Sequence, residues 1–457
     1  MTDRRADGPA TLEPEIGRVG RALHDAFPSH RRHPLKALDD RAMDLAAQDD
    51  ELRAALFRFV DVVPACRSLD DLATHLTGFL DEVGDSPPSL RAAMRMGNTK
   101  AGRTALGAAG AAGVRHMAHR FIVGEDPRAA LPTLRRLWRD GIAASVDLLG
   151  EATVTAAEAD RYAARCDEAL RTLAGAYDRL DDNPLLERDA VGPLPRANLS
   201  VKVSALTPLL RPEAPERGQR DAAPRLRALL RRAHELGAHL HIDMESLDSR
   251  EAVLELVLDL LAEPEFAEGP SAGVVLQAYL RDSQATLDTI LERARQAPRP
   301  HPLVVRLVKG AYWDHEVVEA RQHGWSVPVF ERKADCDANF EVLTTRLLEA
   351  RPLVRVAIAS HNLRSVSHAI ARNRRLGAGP ADVEFQVLRG LGDDLGHALA
   401  SSGLRVRAYC PVGDLVAGMA YLVRRLLENT ANDSFLADQA HGVPLEQLLA
   451  APDRSPA

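Results

Sequence analysis

Eight short apolar runs recur along the chain from about Gly141 onward. They are IAASVDLL (Ile142 to Leu149), NLSVKVSAL (Asn198 to Leu206), AHLHIDME (Ala238 to Glu245), AGVVLQAYL (Ala272 to Leu280), LVVRLVKGA (Leu303 to Ala311), VRVAIASHN (Val354 to Asn362), VEFQVLRGL (Val383 to Leu391) and LRVRAYC (Leu404 to Cys410). Amphipathic segments of helical period separate them, among them Glu158 to Leu173, Leu226 to Leu236, Ala285 to Ala297, Phe340 to Glu349 and Ser365 to Arg375. Runs apolar on both faces suit a parallel sheet covered by helices. Eight such units over about 300 residues predict a (β/α)8 barrel. A doubly wound open sheet is the alternative, but the GxGxxG that usually follows its first strand is absent. Before Gly141 the pattern is helical throughout, with apolar periodicity in Leu35 to Val63 and Leu69 to Val83 and a Gly/Ala-rich stretch from Gly102 to Gly113 that implies close packing or flexibility. No strand and no catalytic constellation is legible there.

The last strand leads into a further helix. Asp414 is a fair N-cap, and apolar residues recur at Leu415, Met419, Leu422, Val423, Leu426 and Leu427. Arg424, Arg425 and Glu428 interrupt that surface. As ion pairs three and four residues apart they suit a solvated helix face. As two adjacent guanidinium groups beside Tyr409 they suit a small carboxylate.

Composition narrows the class. The 457 residues carry a net charge of −7, which argues against a nucleic-acid footprint. Cys66, Cys166, Cys336 and Cys410 are far apart and form no CxxC, so a zinc ribbon or redox dithiol has no support and a reducing, intracellular setting is expected. The N-terminus has no apolar core of a secretory signal. No apolar run reaches the roughly 18–20 residues of a membrane span, so any membrane contact is expected to be peripheral.

In such barrels the chemistry sits where strands end. Those positions hold Asp147 and Glu151, Lys202 and Ser204, Asp243 and Glu245, Gln277 and Tyr279, Arg306, Lys309 and Tyr312, His361 and Asn362, Gln386 and Arg389, and Tyr409. Three chemistries compete. Lys202 or Lys309, if burial lowers its pKa, would form a Schiff base. His239 and His241 share a strand face, as a metal pair would, but they precede the strand end and lack a carboxylate set, which favours a core or supporting role and no metal. Finally, the cations Lys202, Arg306, Lys309, Arg424 and Arg425 exceed the need of one substrate carboxylate, and a cofactor pyrophosphate would use the surplus. Gly310 and Ala311 would let backbone N–H groups approach it.

The stretches SVDLLGEA, NLSVKVSAL, HIDMES, LQAYL, RLVKGAYWD, SHN, EFQVLRGL, AYCPVG and YLVRRLLEN, from Ile142 to Phe435, resemble the proline dehydrogenase domain of the bifunctional bacterial proline-catabolic flavoenzymes. RLVKGAYWD and YLVRRLLEN are its most specific motifs, and the helical N-terminal region is similar to the arm of those proteins. The resemblance implies a distorted (β/α)8 TIM barrel over 136–440, preceded by a helical arm or cap over 1–135 and followed by a tail over 441–457. It implies FAD at the strand C-termini and oxidation of L-proline to Δ1-pyrroline-5-carboxylate by hydride transfer to flavin N5. Electrons would pass to a membrane quinone, and the product to a separate dehydrogenase. The setting would be cytoplasmic, at most peripheral at the inner face of the membrane.

Residue by residue, the resemblance implies that Arg424, Arg425 and Lys202 bind the proline carboxylate, as guanidinium groups do in bidentate pairs. Tyr409 would pack over the ring and favour proline over hydroxyproline, and Leu388 would line the pocket. Asp243 would organise the site, Arg306 would tune the flavin, and Glu151 would gate it by pairing with Arg424. Met244, Gln277, Arg306, Val308, Lys309, Gly310, Ala311, Trp313, Lys333, His361, Asn362, Glu428, Ser434 and Phe435 match flavin-contacting positions. Glu331 departs from the family's usual Thr near an adenosine phosphate, and Cys410 and Thr430 from common Ala and Gly. The chain ends at Ala457 with no aldehyde dehydrogenase segment and no ribbon-helix-helix before the arm, so a stand-alone enzyme is expected. The rivals are oxidation of a related cyclic imino acid and a non-catalytic flavin-binding scaffold.

Overall fold

A computed structural model describes residues 12–28, 50–84, 99–150, 153–414, 418 and 442–453. Its centre is a closed barrel of eight parallel strands in sequential order. The strands are β1 (Ile142–Leu148), β2 (Asn198–Lys202), β3 (His239–Asp243), β4 (Ser271–Gln277), β5 (Leu303–Val308), β6 (Val354–Ala359), β7 (Val383–Leu388) and β8 (Arg405–Val412). All eight apolar runs therefore contain a strand. The predicted ends overshoot where apolar character continues past the ladder: after Lys202, Val203–Ala205 is a 3-10 turn. The cylinder closes by pairing β1 along its whole length with β8.

Helices α1 (Glu13–Asp25), α2 (Asp50–Val62), α3 (Leu69–Asp81), α4 (Lys100–Phe121) and α5 (Pro127–Arg139) precede the barrel. The last of these crosses residue 135. Its Leu134, Leu137 and Trp138 are buried in the same apolar core as β1, so it belongs to the barrel's outer layer. The amphipathic segments become α6 (Ala156–Tyr177), α7 (Pro215–Glu235), α8 (Leu247–Leu261), α9 (Ser283–Gln296), α10 (Trp313–His323), α11 (Lys333–Glu349), α12 (Leu363–Arg375) and α13 (Asp393–Ser401). Some helix starts carry side-chain caps. Thr155 and Glu158 form a reciprocal capping box on α6, a device of about 1 kcal/mol, and Asp126 caps α5.

The Gly/Ala stretch proves to be close packing. A Cβ on Gly107 of α4 would lie 1.9 Å from the Leu69 carbonyl oxygen, so only glycine lets α4 approach α3. Helices α2 to α4 share a second apolar core, with Leu52, Phe59, Leu76, Val114 and Phe121 buried and Leu391 and Tyr409 packed against it. Arg120 Nε donates to the Gly390 carbonyl at 3.0 Å, and Val123 N to that of Pro411 at 2.9 Å. This places the helical region beside the C-terminal ends of β7 and β8. Helix α1 docks elsewhere: buried Arg364 on α12 donates to both oxygens of Glu13, at 2.8 and 2.9 Å.

The strands are not apolar on both faces as the runs suggest. Inward positions alternate as charged and polar residues: His239 and His241, Glu384 and Gln386, Arg405 and Arg407, Arg306, Arg355, Ser145 and Ser200, all buried. Burial of such groups is tolerable only when they are paired. Arg407 donates twice to Glu384, at 2.8 and 3.0 Å, and once to the Ala144 carbonyl at 2.8 Å. Arg355 donates twice to Asp189, at 2.8 and 3.0 Å.

His239 Nδ1 lies 2.8 Å from Ser271 Oγ, and its Nε2 lies 3.1 Å from His241 Nδ1. Burial first, then the nearby Arg407, pushes His239 down to about 3. Burial and Arg306 push His241 well below its ordinary value. Both are neutral in the folded barrel. Below pH 6.5 the unfolded chain takes up protons there that the folded chain refuses. Stability is therefore expected to fall as pH drops, approaching about 1.4 kcal/mol per pH unit for each histidine. Denaturant unfolding at stepped pH between 7 and 5 checks this; His239→Gln is expected to reduce the slope, and a flat profile would contradict neutral buried imidazoles.

Candidate active site

Asp243 ends β3 and is the hub of the barrel mouth. One carboxylate oxygen accepts from Arg306 Nη1 at 2.6 Å, and the other from the Tyr409 hydroxyl at 2.6 Å. Arg306 comes from β5 and Tyr409 from β8, so the three residues tie together strands that are not neighbours. The Arg306 guanidinium also donates to Ser200 Oγ at 3.2 Å and lies 5.4 Å from the centre of the Tyr409 ring. Register places Lys202 opposite Asp243 across β2 and β3, and Leu388 opposite Tyr409 across β7 and β8.

Lys202 Nζ donates to Asp147 Oδ1 at 2.5 Å and stands 4.0 Å from Asp243 Oδ2. Burial opposes its charge, but Asp147 and Asp243 outweigh burial and raise its pKa. The expectation of a lysine made nucleophilic by burial is overturned here, because the neighbouring carboxylates hold the ammonium protonated. For Tyr409, burial and then Asp147 and Asp243 push the phenol well above its ordinary value, so it stays a neutral hydrogen-bond donor.

Three of the five cations read from the sequence are paired in the structure, while Arg424 and Arg425 lie outside the described residues. Lys202 pairs with Asp147, Arg306 with Asp243 and Lys309 with Asp337. Each of these three has its own carboxylate because the acids come from other elements, which a reading of single strand ends does not assemble. Asp147 stands among the strand-end residues of the sequence, but its pairing with Lys202 is not legible there. It stands at the end of β1, 1% exposed, and its signal was a buried acid at a strand end facing a lysine on the next strand.

Around the hub, Gln277 Nε2 donates to the Glu245 carbonyl at 2.8 Å, and Ser204 Oγ donates to the Glu245 carboxylate. His361 Nε2 accepts from Leu388 N at 2.9 Å, and Asn362 caps α12 through Ser365 N at 3.0 Å. Gly310 has φ of +139°, and a Cβ there would lie 2.3 Å from the Tyr279 ring, so this glycine is dictated by packing as well as by backbone. Met244 follows β3, Val308 ends β5, and Ala311 lies between Gly310 and α10. Trp313 begins α10 and donates to the Phe330 carbonyl at 2.9 Å, and Lys333 begins α11. Glu331 is held by Arg321 at 2.9 Å, with Arg281 at 3.9 Å, so its charge is compensated locally. Glu151, Arg424, Arg425, Glu428, Ser434 and Phe435 lie outside the described residues, as do Thr430 and most of the segment after Asp414 for which the sequence predicts a helix.

Buried polar atoms at this end that lack a partner among the described residues include Gln277 Oε1, an acceptor, and Arg306 Nε, a donor. Buried polar atoms are rarely left unpaired without reason. A planar ligand with both donors and acceptors at its edge, as FAD carries, fits this pair.

A closed parallel barrel with Lys202, Asp243, Arg306 and Tyr409 brought together at the strand C-termini defines a class of protein that holds its ligand at that end. The chain belongs to the proline dehydrogenase family, whose model matches residues 130–438. The proline utilization A N-terminal domain matches residues 13–121. The chain is 34% identical over 350 residues to the bifunctional protein PutA of Salmonella typhimurium, covering 74% of this chain and 25% of that protein. It is 30% identical over 324 residues to the proline dehydrogenase of Deinococcus radiodurans, covering 70% of this chain and 89% of that protein. The crystal structure of proline utilization A from Bdellovibrio bacteriovorus, inactivated by N-propargylglycine, superposes with a TM-score of 0.86 at 34% identity over 97% of this chain and 44% of that one. The match thus spans about a quarter of the length of the bifunctional relative from Salmonella typhimurium.

Proposed function

We propose that the chain is an FAD-dependent dehydrogenase that oxidises L-proline to Δ1-pyrroline-5-carboxylate, the first step of proline degradation. The observation that carries this reading is the linked set Lys202–Asp147 and Tyr409–Asp243–Arg306 at the strand ends of a proline dehydrogenase family barrel. The reacting unit is proposed to be the barrel of 136–440 together with α5, whose apolar face packs on β1, with α2 to α4 as a helical cap and 441–457 as a tail.

The product's double bond joins the ring nitrogen to the carbon farther from the carboxylate. A carboxylate clamp therefore has to sit at the opposite side of the ring from the reacting carbon. Lys202, held protonated, supplies one cationic contact for that carboxylate. Arg424 and Arg425 supply the others by resemblance. Tyr409 and Leu388, side by side on β8 and β7, form the wall for the ring methylenes. Asp243 fixes the Tyr409 hydroxyl and the Arg306 guanidinium, so wall and cation keep one geometry.

FAD bound beside Gln277 and Arg306 supplies the hydride acceptor. The other matched positions (Met244, Val308, Lys309, Gly310, Ala311, Trp313, Lys333, His361, Asn362, Glu428, Ser434 and Phe435) would hold it, and Glu151 would close over the substrate. Electrons then pass to a membrane quinone and the product to a separate dehydrogenase. No described helix is long and apolar enough to cross a membrane. A cytoplasmic location with contact at the membrane surface is part of the proposal.

A panel of imino acids tests the reading, with an artificial dye as electron acceptor and the ring-opened product trapped as a coloured adduct. L-proline is expected to show the highest kcat/KM, with hydroxyproline well below it because the Tyr409 ring occupies the added hydroxyl's space. A higher kcat/KM for another cyclic imino acid would move the substrate. Dye reduction by none of them would favour the scaffold reading.

A further inference from the structure

The helical region carries a cluster that the barrel chemistry does not use. Cys66 follows the single 3-10 turn Val63–Ala65, and Asp71 and His75 stand one turn apart on α3. The Cys66 sulfur, an Asp71 carboxylate oxygen and a His75 ring nitrogen all lie within 4.8 Å of one another. We propose that Cys66, Asp71 and His75 form a binding site for a divalent transition-metal cation of the zinc class, with its remaining position open to solvent.

The ligand set is chemically apt. Thiolate, imidazole and carboxylate are the three side-chain types zinc takes, and three protein ligands plus water is the pattern of an open site. Zinc-to-ligand distances of about 2.0–2.3 Å put tetrahedral ligand atoms about 3.3–3.7 Å apart. His75 Nε2 is already 3.6 Å from Asp71 Oδ1. The longest separation has to shorten by only about 1 Å to reach that geometry. All three side chains are partly exposed, so rotamer adjustment achieves it.

The backbone prepares Asp71 for the role. Ser68 Oγ accepts from Asp71 N at 3.1 Å, and Asp71 Oδ2 accepts from Arg67 N at 3.1 Å. This reciprocal capping arrangement fixes the carboxylate and leaves Oδ1 turned to His75. Such outer contacts orient metal ligands. The ordinary reading of Asp71 and His75, a solvated i,i+4 pair, accounts for two of the three residues and not for the thiol. The Cys66 sulfur now donates a long contact of 3.5 Å to the Val62 carbonyl. Burial and Asp71 raise its thiol pKa, so a metal entering the site displaces the thiol proton to water. Cys66 also packs on the apolar core that Tyr409 touches, so a metal here would tie the turn to α3 within the cap of the barrel mouth.

The probe is Co2+, added to the tag-free, chelator-treated full chain. The other three cysteines are buried, each thiol pushed up to about 12 by burial, so a thiolate–cobalt band from folded protein reports Cys66. One equivalent is expected to raise a near-ultraviolet thiolate-to-cobalt charge-transfer band, which Zn2+ then abolishes by displacement. Cys66→Ser is expected to remove the band, and His75→Gln to weaken Co2+ binding by more than about tenfold. No band in the wild-type chain would overturn the proposal. So would a band of full intensity in Cys66→Ser, or unchanged affinity in His75→Gln.

Discussion

An Asp243→Ala variant is expected to fold, to take up flavin, and to lose at least about a hundredfold in kcat/KM for L-proline, since displacement of reacting groups by an ångström costs about that much. Asp243 accepts the Tyr409 hydroxyl and the Arg306 guanidinium and faces Lys202. Its loss frees the Tyr409 hydroxyl, leaves the Arg306 guanidinium held by Ser200, and removes the more distant of the two carboxylates facing Lys202. Tyr409→Phe makes the contrast. It keeps the ring and removes one hydrogen bond, worth about 1 kcal/mol, so a loss of about tenfold or less is expected. Steady-state kinetics with both variants at matched flavin content checks the pair. Equal, small losses would mean that Asp243 is not the hub of the site.

Glu384→Gln is expected to destabilise the barrel by about 3–5 kcal/mol, the scale for breaking a buried ion pair by removing one partner. Glu384 sits inside the barrel, 7% exposed, and accepts from both Arg407 and Gln386. Burial opposes its charge, yet Arg407 and Arg405 more than compensate, holding it down to about 2. That stability is present above the usual carboxylate range and is lost as pH falls from about 4.5 toward about 2. Without it, Arg407 loses the carboxylate it pairs with, and Arg405 and Arg355 are left to share Asp189. Denaturant titration of the variant measures the loss. A second change, Arg407→Met in the Glu384→Gln background, is expected to recover at least about 1 kcal/mol, because it removes the stranded charge. No recovery would place the cost in packing and not in electrostatics.

The barrel was legible because each strand is a short apolar run set off by a helix of different period. Its polar interior was written in the same runs, in the alternation His239, His241, Asp243 and Arg405, Arg407, Tyr409. The apolar residues between them, which face the helices, obscured it. Strand-end reasoning found Lys202, Asp243, Arg306 and Tyr409 one by one. It did not pair Lys202 with Asp147 or Lys309 with Asp337, since those acids come from the neighbouring strand and from a later helix. The same limit applies to Arg364 and Glu13, which meet across 351 positions of chain. Cys66, Asp71 and His75 were hidden for a different reason. Their spacing follows no familiar metal motif, and it is the 3-10 turn before α3 that folds the thiol back onto the helix.

The measurement that bears most directly on the proposed activity is the visible spectrum of the purified chain, reconstituted with FAD and kept free of oxygen, before and after L-proline is added. The account predicts a flavin spectrum that bleaches with L-proline and recovers when a quinone analogue is supplied. A chain that stays colourless after FAD is added, or a bound flavin that L-proline leaves oxidised, would contradict it.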